Sequence, residues 1–222
     1  MDLVKELRKA FEPLRDPKRA ESQSAYMKGN FPFLGVTKPE QAKVSKEMFK
    51  SLDGKNWETA IRQLWECKER EFHWTAIDLA LFHQKKWNPD HLPLFEWMVR
   101  TNSWWDSVDD IAEHLLGQLL LRHPDLIQHA DRWIDDDFMW IRRTALIFQM
   151  FWREKTDEVR LFRYCLKRAE EKEFFIRKAI GWALRQYGKT RPKAVFQFTQ
   201  ENKKILSPLS FREATRLLQN FL

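Results

Sequence analysis

Apolar residues recur at positions i, i+3, i+4 and i+7 along almost the whole chain, as in "WETAIRQLWECK" at residues 57–68 and "EVRLFRYCLKRA" at residues 158–169. This spacing places the apolar side chains on one face of an α-helix. Breaks such as "GNFPFLG", "KKWNPDH" and "KTRPK" separate helical segments of about 10 to 17 residues. The pattern predicts an all-α protein with some twelve short helices and no long linker.

A weak internal repeat relates four of the predicted helices. "WIRRTALIFQMF", which begins at Trp140, is similar to "FIRKAIGWALRQY", which begins 35 residues later at Phe175. The same step backwards reaches Trp105, and a further step of 33 residues reaches Phe72. A period in the thirties with two helices in each unit is typical of stacked HEAT-like helical hairpins. We therefore predict one HEAT-like repeat domain over residues 1–222, with an irregular helical bundle as the alternative.

The repeat predicts that several polar and aromatic residues share one surface. Counted from the aromatic residue that opens each unit, Asp109, Arg143 and Trp182 stand at offsets of four, three and seven residues. Offsets of 0, 3, 4 and 7 lie on one face of a helix, and stacked repeats bring equivalent faces side by side. We expect Trp105, Asp109, Arg143 and Trp182 to line one strip of this surface.

Each of these residues also has a purely structural interpretation. Ser107 is a suitable helix N-cap, and it would place Asp109 in a first turn, where carboxylates interact favourably with the helix dipole. The tryptophans before it would then be core residues, and Arg143 would be a surface ion-pair partner. Two choices depend on helix register: Trp105 over Trp104, and Arg143 over Arg142.

Composition narrows the class of protein. With 222 residues and 43% hydrophobic side chains, the chain can bury a core without disulfide bonds. Its two cysteines, Cys67 and Cys165, have neither disulfide-framework nor metal-site spacing, which favours a reducing compartment such as the cytoplasm. No apolar run reaches about 18 residues, so no membrane segment is expected. Phosphate-binding loops and metal-binding histidine motifs are also missing, so neither a cofactor nor a metal is expected.

The net charge of +7 is unevenly distributed. Residues 138–222 contain 19 Lys and Arg against 8 Asp and Glu, a net charge of +11, which leaves −4 for residues 1–137. The basic half is a candidate surface for a polyanion. Within it, Lys178, Trp182, Arg185 and Lys189 form an i, i+4, i+7, i+11 stripe that should face solvent or a polyanion, because burial would strand three charges. The alternative is that Lys and Arg stems simply cover Trp182.

Four stretches of the chain together resemble one family, the bacterial HEAT-like alkylpurine DNA glycosylases of the AlkD type. They are "AYMKGNFPFLGV" (25–36), "SWWDSVD" (103–109), "WIRRTALIFQM" (140–150) and "FIRKAIGWALRQYGKTRP" (175–192). The resemblance implies a right-handed α-solenoid with a concave, basic DNA-binding face. It also implies base excision repair: hydrolysis of the N-glycosidic bond of cationic purines such as 3-methyladenine and 7-methylguanine in duplex DNA, which leaves an abasic site. A monomer is expected because it is the default state of a short solenoid with polar ends.

The resemblance also implies roles for individual residues. It places the catalytic carboxylate at Asp109, the two indoles that flank the sugar at Trp105 and Trp182, the active-site arginine at Arg143, and a tyrosine near the lesion at Tyr26. Phosphate contacts are expected from Arg142, Arg143, Lys178, Arg185 and Lys189.

The chemistry of the bond agrees with these roles. An N3- or N7-alkylated purine is already cationic and leaves without a strong general acid, so the sugar, which becomes oxocarbenium-like, needs stabilisation. A nearby carboxylate supplies it, and indole faces add cation–π attraction. Two other functions stay open: a non-catalytic DNA-binding relative for branched or damaged DNA, and a HEAT-like protein scaffold.

Overall fold

The computed structural model describes residues 2–52 and 56–218 of the chain. Every regular element in these ranges is helical, which confirms the all-α prediction. The chain divides into two compact units, residues 1–87 and 88–222. The single domain over residues 1–222 includes residues 1, 53–55 and 219–222, which lie outside the described ranges. It stays a prediction, as do the right-handed solenoid and its concave face.

The described part of the first unit is built from helices that pack around an apolar centre. Phe11 and Phe72 are fully buried there, with ring centroids 5.6 Å apart. The side chains of Asp2 and Asp16 cap two helices by accepting hydrogen bonds from backbone N–H groups. The helices are α1 (Leu3–Phe11), α2 (Pro17–Tyr26), α3 (Lys38–Ser51), α4 (Trp57–Trp65) and α5 (Arg70–Phe82).

A buried carboxylate fixes the loop that follows α2. Oε1 of Glu71 accepts hydrogen bonds from the backbone N–H groups of Leu34 at 2.9 Å and Gly35 at 2.8 Å. Gly35 has a φ of +83°, and a Cβ there would lie 2.1 Å from the carbonyl oxygen of Asp16, so glycine is required. Tyr26, the last residue of α2, is 67% exposed at the start of this fixed loop.

The second unit begins with α6 (Leu92–Arg100), followed by a continuous helix of three parts: α7 (Trp105–Asp110), a π-helical segment (Ile111–Leu116) and α8 (Gly117–Arg122). The remaining helices are α9 (Ile127–Trp133), α10 (Met139–Ile147), α11 (Glu158–Lys167), α12 (Phe174–Gly188), α13 (Pro192–Glu201) and α14 (Pro208–Thr215). With the three-part helix counted once, the described residues form thirteen helices, close to the twelve predicted.

The aromatic residues of the predicted repeat occupy similar places in their helices. Trp105 is the first residue of α7, Trp140 and Phe175 are the second residues of α10 and α12, and Phe72 is the third of α5. α10 lies between α7 and α12 in the packing of the second unit, so the helices of successive repeats are neighbours there. None of the described helices is both long and apolar enough to cross a membrane.

Candidate active site

Asp109 and Arg143 form a buried, two-pronged ion pair between α7 and α10. Nε of Arg143 donates to Oδ1 of Asp109, and Nη2 donates to Oδ2, each at 2.7 Å. The side chain of Arg143 is 3% exposed and that of Asp109 is 9% exposed. The carboxylate is thus the more exposed partner, and the more deeply buried guanidinium fixes its orientation.

The start of α7 excludes the capping interpretation of Asp109. The helix begins at Trp105 with an extended Trp104 as its N-cap, so Ser107 is not the N-cap and Asp109 lies in the second turn. The N-cap prediction was wrong because the hydroxyl of Ser107 bonds back to the carbonyl oxygen of Trp104, at 3.3 Å, inside the helix. Arg143 is also not a surface residue, since it is 2% exposed.

Neighbouring arginines on α10 have different partners. Nη1 of Arg143 donates to the carbonyl oxygen of Phe175 in α12 at 2.5 Å, which ties the ion pair to a third helix. Arg142 instead pairs with Glu171 at 2.5 Å and donates to the carbonyl oxygens of Asp136 and Asp137. This geometry favours Arg143 as the partner of the site carboxylate.

The aromatic side chains near the ion pair divide into two groups. Trp104 packs edge-on against Trp140 and Phe175, with ring centroids 5.7 Å and 5.3 Å away, and so belongs to an aromatic cluster across three helices. Trp105 and Trp182 are both half-buried, the first one helical turn before Asp109 and the second two turns after Phe175. The structure brings Asp109 and Arg143 into contact, and the predicted roles of the two indoles stay predictions.

Burial dominates the electrostatics of the site. It raises the pKa of Asp109 above its ordinary value, while the hydrogen bonds from Arg143 oppose the shift. A second carboxyl group, Glu113, lies four residues further on in the π-helical segment and is 6% exposed. Burial raises the pKa of Glu113 to about 8, and the charges of Asp109 and Asp110 add to that shift.

The predicted basic stripe on α12 is partly neutralised by an internal carboxylate. Glu213 of α14 accepts from Nζ of Lys178 at 2.7 Å and also pairs with Arg185. Lys178 and Arg185 are therefore paired within the protein, because α14 packs closely against this part of α12, while their side chains stay 38% and 20% exposed. Lys189 is exposed, as expected. The DNA contacts of Arg142, Lys178, Arg185 and Lys189 stay predictions.

The sequence analysis did not identify two residues of this region, Glu113 and Glu213. Glu113 reads as an ordinary solvated acid, although its position one α-helical turn after Asp109 was a usable signal. Glu213 lies 28 residues or more from its partners in sequence, and no local pattern indicates the pairing. Tyr26 belongs to the first unit, and its predicted role near the lesion stays a prediction.

The arrangement can stabilise positive charge. A preorganised carboxylate favours a cation that develops on a bound molecule, and low local dielectric strengthens the effect. Among the described residues, no group of three or more His, Cys, Asp or Glu side chains could hold a metal ion.

Comparisons with known proteins agree on one relationship. The sequence model of a family described as DNA alkylation repair enzyme matches residues 7–218. Among solved structures, the chain is similar to a predicted DNA alkylation repair enzyme from Enterococcus faecalis, with 33% identity and a TM-score of 0.86 over 92% of this chain and 97% of that one. AlkD2 from Streptococcus mutans has 17% identity and a TM-score of 0.63 over 91% of this chain and 99% of that one, a likeness of fold alone. No curated protein matches the sequence.

Proposed function

Because the chain belongs to the DNA alkylation repair enzyme family, we propose that it is a monofunctional DNA glycosylase that removes cationic alkylated purines from duplex DNA. The observation that carries the proposal is the buried pair of Asp109 and Arg143. A surface that only holds phosphates has no need of a carboxylate, which repels them. A carboxylate that is fixed by an arginine of the basic half, residues 138–222, suits a substrate that is locally positive.

The reaction needs stabilisation of the sugar more than of the base. In 3-methyladenine or 7-methylguanine the purine is already cationic, so it departs as a neutral base when the N-glycosidic bond breaks. Positive charge then moves to C1′ and the ring oxygen of the sugar. Water attacks C1′, loses a proton, and leaves an abasic site.

Asp109 is the group that we assign to this charge. Its carboxylate stabilises the oxocarbenium-like sugar and orients the attacking water, and electrostatic effects of this kind account for roughly 3–4 kcal/mol in other enzymes. Arg143 holds both oxygens of the carboxylate, so the acid reaches the transition state without rearranging. Trp105 and Trp182 would flank the sugar and add cation–π attraction of about 0.5–2 kcal/mol each.

Affinity for DNA would come from the basic half of the chain. Lys189 is exposed, whereas Lys178 and Arg185 share Glu213 and would have to exchange it for phosphate oxygens. Phosphate contacts give affinity that is independent of sequence and falls with salt. A monomeric state and a cytoplasmic location stay predictions from the sequence.

The test is release of free methylated bases from methylated duplex DNA by the wild-type protein and by Asp109→Asn. We expect release by the wild type and a loss of at least about a hundredfold in the variant. Asp106→Asn, which removes a less buried carboxylate from the same helix, is the matched control and should retain release. No release by the wild type, together with binding to branched DNA, would favour the non-catalytic alternative.

A further inference from the structure

Glu113 is a second carboxyl group beside the site, and the roles proposed so far do not use it. It is 6% exposed, and among the described residues its Oε1 has no hydrogen-bond partner. Buried polar atoms in folded proteins are almost always hydrogen-bonded, so an unpartnered carboxyl oxygen requires an explanation. It also lies within the π-helical segment, and π-helical turns are frequent at functional sites.

The charged groups around Glu113 come from several helices. Desolvation, together with the charges of Asp109 and Asp110 of α7, raises the pKa of Glu113 to about 8, and Arg143 of α10 opposes the shift. The π-helical segment also packs against α6 and α8. The remaining charged or titratable side chains on α6, α7, α8, α10 and the segment itself are Glu96 and Arg100, which pair with each other, Asp106 of α7, Arg122 at the end of α8, His114, which stacks on Phe151, and Arg142, which pairs with Glu171.

The charge balance of the site gives Glu113 a role. Asp109 is already compensated by the guanidinium of Arg143, so the ion pair has no net charge. The guanidinium of Arg143 therefore weakens the electrostatic attraction between Asp109 and a cation that binds next to it. Among the residues that the structure describes, Glu113 forms no ion pair, and its ionisation would give the site a net negative charge.

We propose that Glu113 carries a proton in the free protein and gives it up when a cation occupies the site next to Asp109. The carboxyl O–H bond breaks, the proton passes to solvent, and the carboxylate remains. A nearby cation favours the charged form of a carboxyl group, and the coupling is reciprocal: ionised Glu113 tightens binding of the cation. This inference rests on the proposed function, because it takes the alkylated nucleotide as the source of the cation.

Two DNA duplexes of the same sequence test the coupling. One carries a pyrrolidine ring in place of a deoxyribose, whose ring nitrogen is protonated, and the other carries a neutral tetrahydrofuran. For the wild type, we expect the preference for the pyrrolidine duplex to rise severalfold between about pH 6 and about pH 8 as the proton becomes easier to lose. Calorimetry in buffers of different ionisation enthalpy should also detect proton release on binding.

Glu113→Gln is the decisive variant, since Gln has the shape of the protonated acid and cannot ionise. It should show a preference that does not change with pH in this range and release fewer protons. Asp110→Asn, which removes an adjacent carboxylate that is less buried, should keep the rise but move it to lower pH, because one charge that raises the pKa of Glu113 is lost. The same pH dependence in wild type and Glu113→Gln would overturn the inference. If the wild-type protein releases no base from methylated DNA, the proposed function is overturned. If it releases base but has the same pH dependence as Glu113→Gln, only the inference about Glu113 is overturned.

Discussion

Asp109 and Arg143 lie 34 residues apart in the chain, and the guanidinium donates two hydrogen bonds of 2.7 Å to the carboxylate. Arg143 also donates to the carbonyl oxygen of Phe175, another 32 residues along. One side chain of α10 therefore links α7 and α12 within the second unit. The orientation of the carboxylate depends on the fork geometry of the guanidinium, which a lysine cannot reproduce.

We expect Arg143→Lys to shift the pH dependence of base excision. The hydrogen bonds from Arg143 hold down a pKa of Asp109 that burial raises, so the weaker contact of Lys should let that pKa rise further. In the proposed mechanism only ionised Asp109 stabilises the sugar. Activity should therefore fall as the pH is lowered through the pKa of Asp109, and the fall should begin at a higher pH in the variant. Single-turnover rates across pH measure this effect, and a loss of roughly 10- to 100-fold at neutral pH is expected.

Arg142→Lys is the control on the neighbouring residue. It disrupts the fork to Glu171 and should lower stability, but the midpoint of the pH profile should not move. Equal shifts in both variants would argue against a specific role for Arg143 in setting the pKa of Asp109.

Glu213→Gln should strengthen binding to undamaged duplex DNA. The substitution removes the carboxylate that pairs with Lys178 and Arg185, so both cations become available to phosphates. Two additional phosphate contacts would steepen the slope of log affinity against log salt by up to about 1.8. Glu201→Gln makes the same change of charge at an exposed position, where the carboxylate accepts a hydrogen bond from Gln197. It should leave the slope nearly unchanged, and equal effects of the two variants would show that only net charge matters.

Glu113→Gln should change how stability depends on pH. The pKa of Glu113 is about 8 in the folded protein and has an ordinary value of 4.5. Between these values the folded state binds more protons than the unfolded state, so the free energy of unfolding falls as pH rises, by up to ~1.4 kcal/mol per pH unit. Gln does not titrate, so the variant should gain stability over the wild type from about pH 5 to about pH 8. Denaturant unfolding measures the difference, with Glu154→Gln as the exposed control; a constant difference would contradict the assignment.

Gly117→Ala and Gly188→Ala should change stability in opposite directions. A Cβ at Gly117 would lie 2.1 Å from the carbonyl oxygen of Phe148, a backbone atom that cannot move aside cheaply. Overpacking of this kind is expected to destabilise by roughly 1–3 kcal/mol or more. At Gly188 the nearest atoms are 3.7 Å and 3.8 Å away, in ordinary contact, and Ala should stabilise the helix by about 0.5–1 kcal/mol. Thermal and denaturant unfolding compare the two, and a tolerated alanine at position 117 would contradict the close approach.

Periodicity alone predicted the helical class and the placement of Asp109 and Arg143 on one strip of one surface, but it did not predict the ion pair between them. The offsets from Trp105 and Trp140 sufficed because successive repeats stack in the same register, so equivalent faces become neighbours. The identities of the neighbours are then fixed by helix geometry. The same argument placed Trp182 on the next helix, α12, but says nothing of what its indole contacts.

Contacts that depend on packing could not be predicted in this way. The sequence spacing placed the cations Lys178 and Arg185 on α12. Their pairing with Glu213 depends on the packing of α14 against α12, which the repeat pattern does not predict. The unusual state of Glu113 depends on burial by surrounding helices. Local sequence does not encode burial of a single acid.

The π-helical segment sets the phase of the helix that carries Asp109. Gly117 lies eight residues after Asp109, and eight residues of α-helix turn through about 800°, which overshoots two full turns by about 80°. A π-helical turn contains more residues, so the segment reduces the overshoot. Asp109 can then contact Arg143 of α10, while Gly117 approaches the backbone of Phe148, the residue that directly follows α10. Removal of one residue from Ile111–Leu116 would restore a regular helix and set the acid and the glycine out of phase.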